Sequence, residues 1–247
     1  MNSKILWISI LAAVVSFFGG FYLANSLNGD ELLKLRAENE QLKKVAGAAP
    51  QNDSDAALSD EEIRQKIAEA DQNPGNVSYQ RNLGMALLSY GVMKQNAGLI
   101  AESARLLKRA HASDPQDFDV AVGLGNAFYD IGSLKNDSES FEKAREYYAK
   151  ALALKPDDAA VRADFGSTFV FVDQPDYERA SKELERALQL APKNERALLL
   201  MAQMLVKQNN ATEAEKYLAR LREIDPKAPT LGELTAQLAQ QTNPVQK

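Results

Sequence analysis

From Ser59 onward, apolar residues return every three or four positions, and prolines interrupt them at nearly regular intervals. That spacing lays one apolar stripe along each of a series of helices, and each proline, which lacks an amide hydrogen, closes one of them. The stretch 150–166, KALALKPDDAAVRADFG, shows the unit best. Ala151 closes a helix, Pro156 stops it, Asp157 and Asp158 can cap the next helix, and Phe165 with Gly166 forms that helix's packing pair. Pro74, Pro115, Pro192 and Pro226 repeat the proline place, with Ala110, Ala187 and Leu221 five residues before the last three of these. Leu83-Gly84, Leu124-Gly125 and Met201-Ala202 repeat the packing pair. The prolines are 41, 41, 36 and 34 residues apart, so the pattern predicts an all-α fold of repeated helical hairpins.

Both ends of this pattern carry signals of their own. Ser59 and Glu62 form a capping box, Leu58 and Ile63 are placed for a hydrophobic staple, and Ile63, Ile67 and Ala70 give a half-repeat that can cover an open end. After Pro226 and Pro229, Thr230 and Glu233 form a second box, and Leu231, Leu234 and Leu238 share one face of a closing helix.

The 34-residue interval, the apolar-glycine pair, the alanines and the closing proline resemble the tetratricopeptide repeat. Ala144, Ala180 and Ala214 fill its first alanine place in the second helix, Tyr148, Leu184 and Leu218 the bulky place after it, and Phe128 and Phe169 the aromatic place in the first helix. The resemblance implies an α-solenoid domain over 59–241: a half-repeat at 59–76, repeats at about 77–117, 118–158, 159–194 and 195–228, and a capping helix at 229–241. The first two repeats exceed the family period by seven residues, close to two helical turns, which predicts one extra turn on each helix of the hairpin. Gly98 and the polar run 132–140 mark the expected bends, and the third repeat's extra residues fall at Asp173-Gln174-Pro175.

The resemblance also implies a groove, lined by the first helix of each repeat, that takes an extended peptide or a partner helix. Its places fall on Arg81, Asn82 and Met85; on Asn126, Tyr129 and Asp130; on Ser167, Val170 and Phe171; and on Gln203, Val206 and Lys207. Amides can bond a ligand's backbone without reading its sequence, while Tyr129 and Phe171 supply contact area. The subfamily that clamps C-terminal carboxylates is matched at Arg81 and Asn126 only. Met85, Ala160 and Asp164 stand where it needs Asn, Lys and Arg, and the Asp164 charge opposes a carboxylate.

Upstream the pattern changes. Ile5 to Leu27 is an uncharged run of 23 mostly apolar residues with Trp7 and Tyr22 near its ends, enough to cross about 30 Å of hydrocarbon as a helix. Residues 1–28 are therefore expected to be a transmembrane anchor; a cleaved signal peptide is the rival reading, opposed by Tyr22 at the third-last place before a cut after Ala24. Ala12, Ser16, Gly20 and Ala24 form a small-residue stripe of the kind that lets membrane helices approach. Leu32, Leu35, Asn39, Leu42 and Ala46 then follow a heptad seam over 29–46, with Asn39 favouring a parallel dimer. The expectation is a homodimer or small homo-oligomer, followed by a flexible linker at 47–58. Lys4 and the terminal amine favour an inside N-terminus, which places the repeats outside, on the periplasmic side of a bacterial inner membrane.

Composition narrows the function. A net charge of -5 gives no basic footprint for nucleic acid, and the absence of cysteine removes disulfides, thiolates and cysteine-based metal sites. The single histidine, His111, ends a second helix, where a cation complements the helix dipole. Asn-x-Ser/Thr triplets occur at Asn76, Asn136 and Asn210. No catalytic, cofactor or metal constellation stands out, so the chain is expected to be a non-enzymatic, membrane-anchored module that binds a protein or peptide client. The layout is similar to the repeat-containing subunits of cytochrome c biogenesis; a translocon-associated envelope chaperone and a coiled-coil envelope scaffold are the alternatives.

Overall fold

The computed structural model describes residues 59–242, whose regular structure is entirely helical. The expected anchor, heptad seam and linker, with Ser16, Gly20, Ala24, Leu32, Leu35, Asn39 and Leu42, lie outside the described residues. Among the described residues, no helix is long and apolar enough to cross a membrane.

The chain divides into two units after Gln72. The first contributes one described helix, α1 (Asp60–Gln72), which opens on the capping box: the Ser59 amide donates to Glu62 Oε2 at 2.8 Å and the Glu62 amide to Ser59 Oγ at 3.3 Å. Asp60, Glu61 and Glu62 set negative charge against the positive end of the helix.

The second unit holds α2 (Val77–Met93), α3 (Ala97–Ser113), α4 (Phe118–Lys135), α5 (Ser138–Leu154), α6 (Ala159–Ser167), α7 (Tyr177–Leu190), α8 (Glu195–Lys207), α9 (Ala211–Ile224) and α10 (Pro229–Thr242). Consecutive pairs from α2/α3 to α8/α9 pack as hairpins, and each hairpin's second helix packs on the next helix in line. Every helix from α2 to α9 begins at an Asn or Asp whose side chain accepts an amide of its first turn: Asn76, Asn96, Asp117, Asp137, Asp158, Asp176, Asn194 and Asn210. Each cap contributes about 1 kcal/mol relative to alanine. Two of the Asn-x-Ser/Thr triplets are thereby accounted for as helix starts. Of the two candidate caps at the third junction, Asp158 caps α6, while Asp157 accepts from Arg186 at 3.3 Å.

All five repeat prolines lie in turns. The first two hairpins have helices of 17, 17, 18 and 17 residues, against 14, 13 and 14 in α7, α8 and α9. Each long helix therefore gains about one turn, which keeps the same faces in contact. The bend of the first hairpin falls at Lys94–Asn96, just before the place that Gly98 suggested; Gly98 sits inside the first turn of α3. Three hairpin tips share one device. Gln95, Asn136 and Asn209 take the left-handed conformation with φ of 50, 51 and 56°, and the next residue's amide closes back onto the carbonyl of Gly91, Gly132 or Leu205.

The third hairpin departs from the pattern. Its first helix, α6, has 9 residues and stops at Ser167, so Phe169 and Phe171 lie in the irregular segment 168–176 and not in a helix as the repeat pattern implies. Two hydroxyls explain the stop: Ser167 Oγ donates to the Asp164 carbonyl at 2.7 Å and Thr168 Oγ1 to the Phe165 carbonyl at 2.6 Å, competing with amides that would continue the helix. Arg145 of α5 holds the exit, donating to the Thr168 carbonyl at 2.9 Å with its guanidinium 5.1 Å over the Phe169 ring.

Two apolar cores run through this unit, one built on α2 to α6 and one on α6 to α10, and Phe165 packs against both. At α4, Gly125 leaves room for the ring of Tyr148 from α5, which is fully buried and whose hydroxyl donates to Asn126 Oδ1 at 2.7 Å. Leu231, Leu234 and Leu238 of α10 are buried on the core that holds Leu205 and Leu218. That helix starts with Pro229 as its first residue, so Thr230 lies inside it and the expected second capping box does not open it.

Candidate protein-binding site

The segment 168–176 interrupts the series of first helices, and a cavity of about 550 Å³ opens between it, α4 and α8. Tyr129, Phe141 and Phe171 supply aromatic walls, Val170, Leu199 and Leu200 aliphatic ones, and Arg196, Gln203, Lys207 and Asp173 polar ones. Tyr129 meets the Phe141 ring edge-on with centroids 5.4 Å apart, and the Lys207 ammonium lies 5.6 Å over Phe171. Both rings therefore contact neighbours while lining the opening.

Of the groove residues expected from sequence, Tyr129, Val170, Phe171, Gln203 and Lys207 meet at this cavity. Others are occupied in holding the fold together. Arg81 donates from Nε to Asp117 and from Nη2 to Asp119, both at 2.8 Å, bracing α2 against the start of α4. Met85 fills the space over Gly123, where an added Cβ would stand 2.8 Å from its sulfur. Asn126 is engaged by Tyr148, Ser167 and Val206 are buried, and Asn82 is exposed on α2 away from the cavity lining.

A polar cluster flanks the cavity. Arg196 Nε donates to the Asp164 carboxylate, so Asp164 is paired and its charge is not the bare repulsion that the letters alone suggested. Burial pushes Asp164 up from the ordinary carboxylate value, and the guanidinium opposes that shift. Asp130, one place beyond Tyr129 on α4, is pushed up to about 6, chiefly by burial and further by the charge of Asp164, with Arg196 acting against both. Burial likewise raises the Tyr129 phenol. At the end of α3, burial and then Lys150 lower His111, which meets the Tyr147 ring edge-on at 5.6 Å; both effects work against the dipole-complementing cation expected there. No group of three or more His, Asp or Glu residues able to hold a metal ion occurs among the described residues.

Sequence reasoning missed Arg196, Phe141 and the lining residues Val172, Asp173 and Pro175, and it placed Val170 and Phe171 on a helix where the structure has an irregular segment. The one signal available was charge at the repeat distance: Arg81 and Asp117 are 36 residues apart and Asp164 and Arg196 are 32 apart, near the repeat period and opposite in sign.

Comparison with known proteins fits this architecture. The tetratricopeptide repeat family matches at residues 171–238 and, through a second model of the same repeat, at 125–158. The chain carries tetratricopeptide repeats. Crystal structures with the same fold include MamA, with a TM-score of 0.54 at 20% identity over 67% of this chain and 88% of that one. Another is TTC0263, a thermophilic tetratricopeptide-repeat protein of Thermus thermophilus, with a TM-score of 0.54 at 18% identity over 74% and 90%. At these identities the likeness concerns the fold. Among curated proteins, a BBSome complex member, the BBS4 homolog of Drosophila melanogaster, is 24% identical over 177 residues, covering 70% of this chain and 34% of that protein. The chain thus spans about a third of that relative's length, and its repeats are of the kind that mediate protein–protein interaction.

Proposed function

We propose that the chain is a non-enzymatic binding protein that holds an extended segment of a protein partner at the cavity between α4, α8 and segment 168–176. The observation that carries this reading is a preformed opening of about 550 Å³ with three aromatic walls and polar groups at its margin. Ligand sites have that make-up: apolar surface supplies affinity and a few placed polar groups supply orientation. A photo-crosslinking amino acid at Phe171 should capture the partner in cells, and the same residue at the exposed Lys182 of α7 should not. Equal capture at both positions, or capture at Lys182 alone, would move the binding face elsewhere.

The same reading has residues 5–27 anchoring the chain in a bacterial inner membrane, the repeats on the periplasmic side, and the seam from Leu32 to Ala46 pairing two chains. Its support is the sequence pattern: an uncharged run of spanning length behind a short basic tail, a small-residue stripe, and a heptad seam that tethering would strengthen through effective concentration. Cytochrome c biogenesis is the setting that this layout favours, with envelope chaperoning as the alternative. A cysteine in place of Leu35 should trap a disulfide-linked dimer at native expression; a persistent monomer would remove the pairing, and protease protection in sealed vesicles tests the orientation.

A further inference from the structure

Resting on that reading of the cavity, the charges around it point to the kind of segment it takes. Beside one end, next to the lining residue Arg196, is Asp130, a half-buried carboxylate with no hydrogen bond among the described residues: the Arg196 guanidinium is bonded to Asp164 instead. The charged groups facing Asp130 are Asp164 of α6 and Arg196 of α8, so its immediate surroundings hold two carboxylates against one cation; the neutral phenols of Tyr129 and Tyr148 stand beside them. At the other end the exposed Lys207 of α8 rests on the Phe171 ring, and no described carboxylate lies within ion-pair distance of it. The apolar lining of the cavity is Tyr129, Phe141, Phe171, Leu199 and Leu200. Arg196 and Lys207 are eleven residues apart on one continuous helix, a rise of about 16 Å, which an extended chain of about five residues spans.

We propose that the cavity takes an extended segment of a partner protein carrying a basic side chain at the Asp130 end, a bulky apolar side chain in the middle, and a carboxylate at the Lys207 end. The bonding follows from the groups present. A ligand guanidinium or ammonium gives the desolvated Asp130 the charge partner that Arg196 does not supply, and it meets the aromatic faces beside it. The apolar side chain enters between Phe171 and Leu200, and the ligand carboxylate pairs with Lys207 at the rim. Opposite charges at the two ends also favour one chain direction over the other, because a reversed segment sets like charge against like. Protonation of Asp130 removes the first of these bonds, so binding weakens as the pH falls through about 6.

The test uses the full chain and labelled nine-residue peptides with a central phenylalanine, an arginine and a glutamate two places to either side, in both orders, read by fluorescence anisotropy. The tighter-binding order should bind at least tenfold more tightly than a peptide with glutamine at both charged places at low salt. Asp130→Asn should weaken the favoured peptide about tenfold, and that loss should vanish when the peptide arginine is replaced by glutamine; Lys207→Gln should show the same coupling to the peptide glutamate. Circular dichroism of each variant establishes that it is folded. Affinity unchanged when both charged places are glutamine, or an Asp130→Asn loss that persists with the glutamine peptide, overturns the charge assignment while leaving the cavity as a binding site. If no peptide binds although crosslinking at Phe171 captures a partner, the partner is not held as an extended segment and the proposal falls with the protein-binding reading intact. Absence of both peptide binding and crosslinking removes the two together.

Discussion

Gly125 sits at the small place of the repeat pattern, and the structure turns that into a measurable contact. A Cβ added there would lie 2.5 Å from both Cδ1 and Cε1 of Tyr148, about 1 Å inside ordinary van der Waals contact. The ring has nowhere to retreat, because Tyr148 is 1% exposed and its hydroxyl is bonded to Asn126 at 2.7 Å. Overpacking of this sort costs about 1–3 kcal/mol. Shifting the ring also weakens the hydroxyl bond, about 1 kcal/mol more. Against these, alanine in a helix interior is favoured over glycine by about 1 kcal/mol. Gly125→Ala should therefore destabilise the repeat array by roughly 1–3 kcal/mol, read as a lower urea midpoint by circular dichroism of the full chain. Gly232→Ala, in α10 with nothing within 4 Å of the added carbon, isolates the propensity term and should stabilise by about 0.5–1 kcal/mol. Adding Gly125→Ala to Tyr148→Leu should cost less than Gly125→Ala costs alone, since the shorter side chain relieves the clash. If Gly125→Ala matched Gly232→Ala in raising the midpoint, the ring would be free to move and the account of this packing place would be wrong.

Two further outcomes follow from single residues. Gln95 is exposed and holds a φ of 50° at the first hairpin tip, a conformation that costs a side-chain-bearing residue about 1 kcal/mol. Gln95→Gly should raise the urea midpoint by a comparable amount, and a lower midpoint would mean the tip does not depend on that conformation. Asp130 has its carboxyl raised to about 6 in the folded protein against about 3.9 unfolded, so between those values the folded state binds more protons. Its contribution to stability consequently declines as pH rises from about 4 to about 6 and is level above that. Asp130→Asn should remove that slope and raise stability at pH 7 by on the order of 2 kcal/mol; an unchanged pH profile in urea titrations at pH 4.5 and 7 would show that Asp130 is well solvated.

Much of the array was legible because its determinants are local. An Asn or Asp before each helix from α2 to α9, a proline in each junction and a stripe at helical spacing act within a few residues of one another, so the order of the letters suffices to place most helices and turns. The seven extra residues in each of the first two repeats became one turn on each helix for the same reason: helical periodicity decides which insertions keep a face in register. Segment 168–176 marks where local reading stopped short. Ser167 and Thr168 are compatible with a helix interior as letters, and the helix ends there because their hydroxyls bond carbonyls one turn back while Arg145, 23 residues upstream, receives the exit.

By itself, the sequence determined that this chain builds helical hairpins in a repeating series, and where their capped starts and proline junctions fall. Tertiary structure alone decided which polar residues of the first helices remain available to a partner. Arg81, Met85 and Asn126 hold the letters of a groove, yet Asp117, Gly123 and Tyr148 occupy them, while Asp130 is left beside an arginine already engaged by Asp164. The physical reason is distance along the chain. A cap or a turn is satisfied by its neighbours, whereas a side chain's last unfilled bond depends on residues a full repeat away, and only packing brings those together.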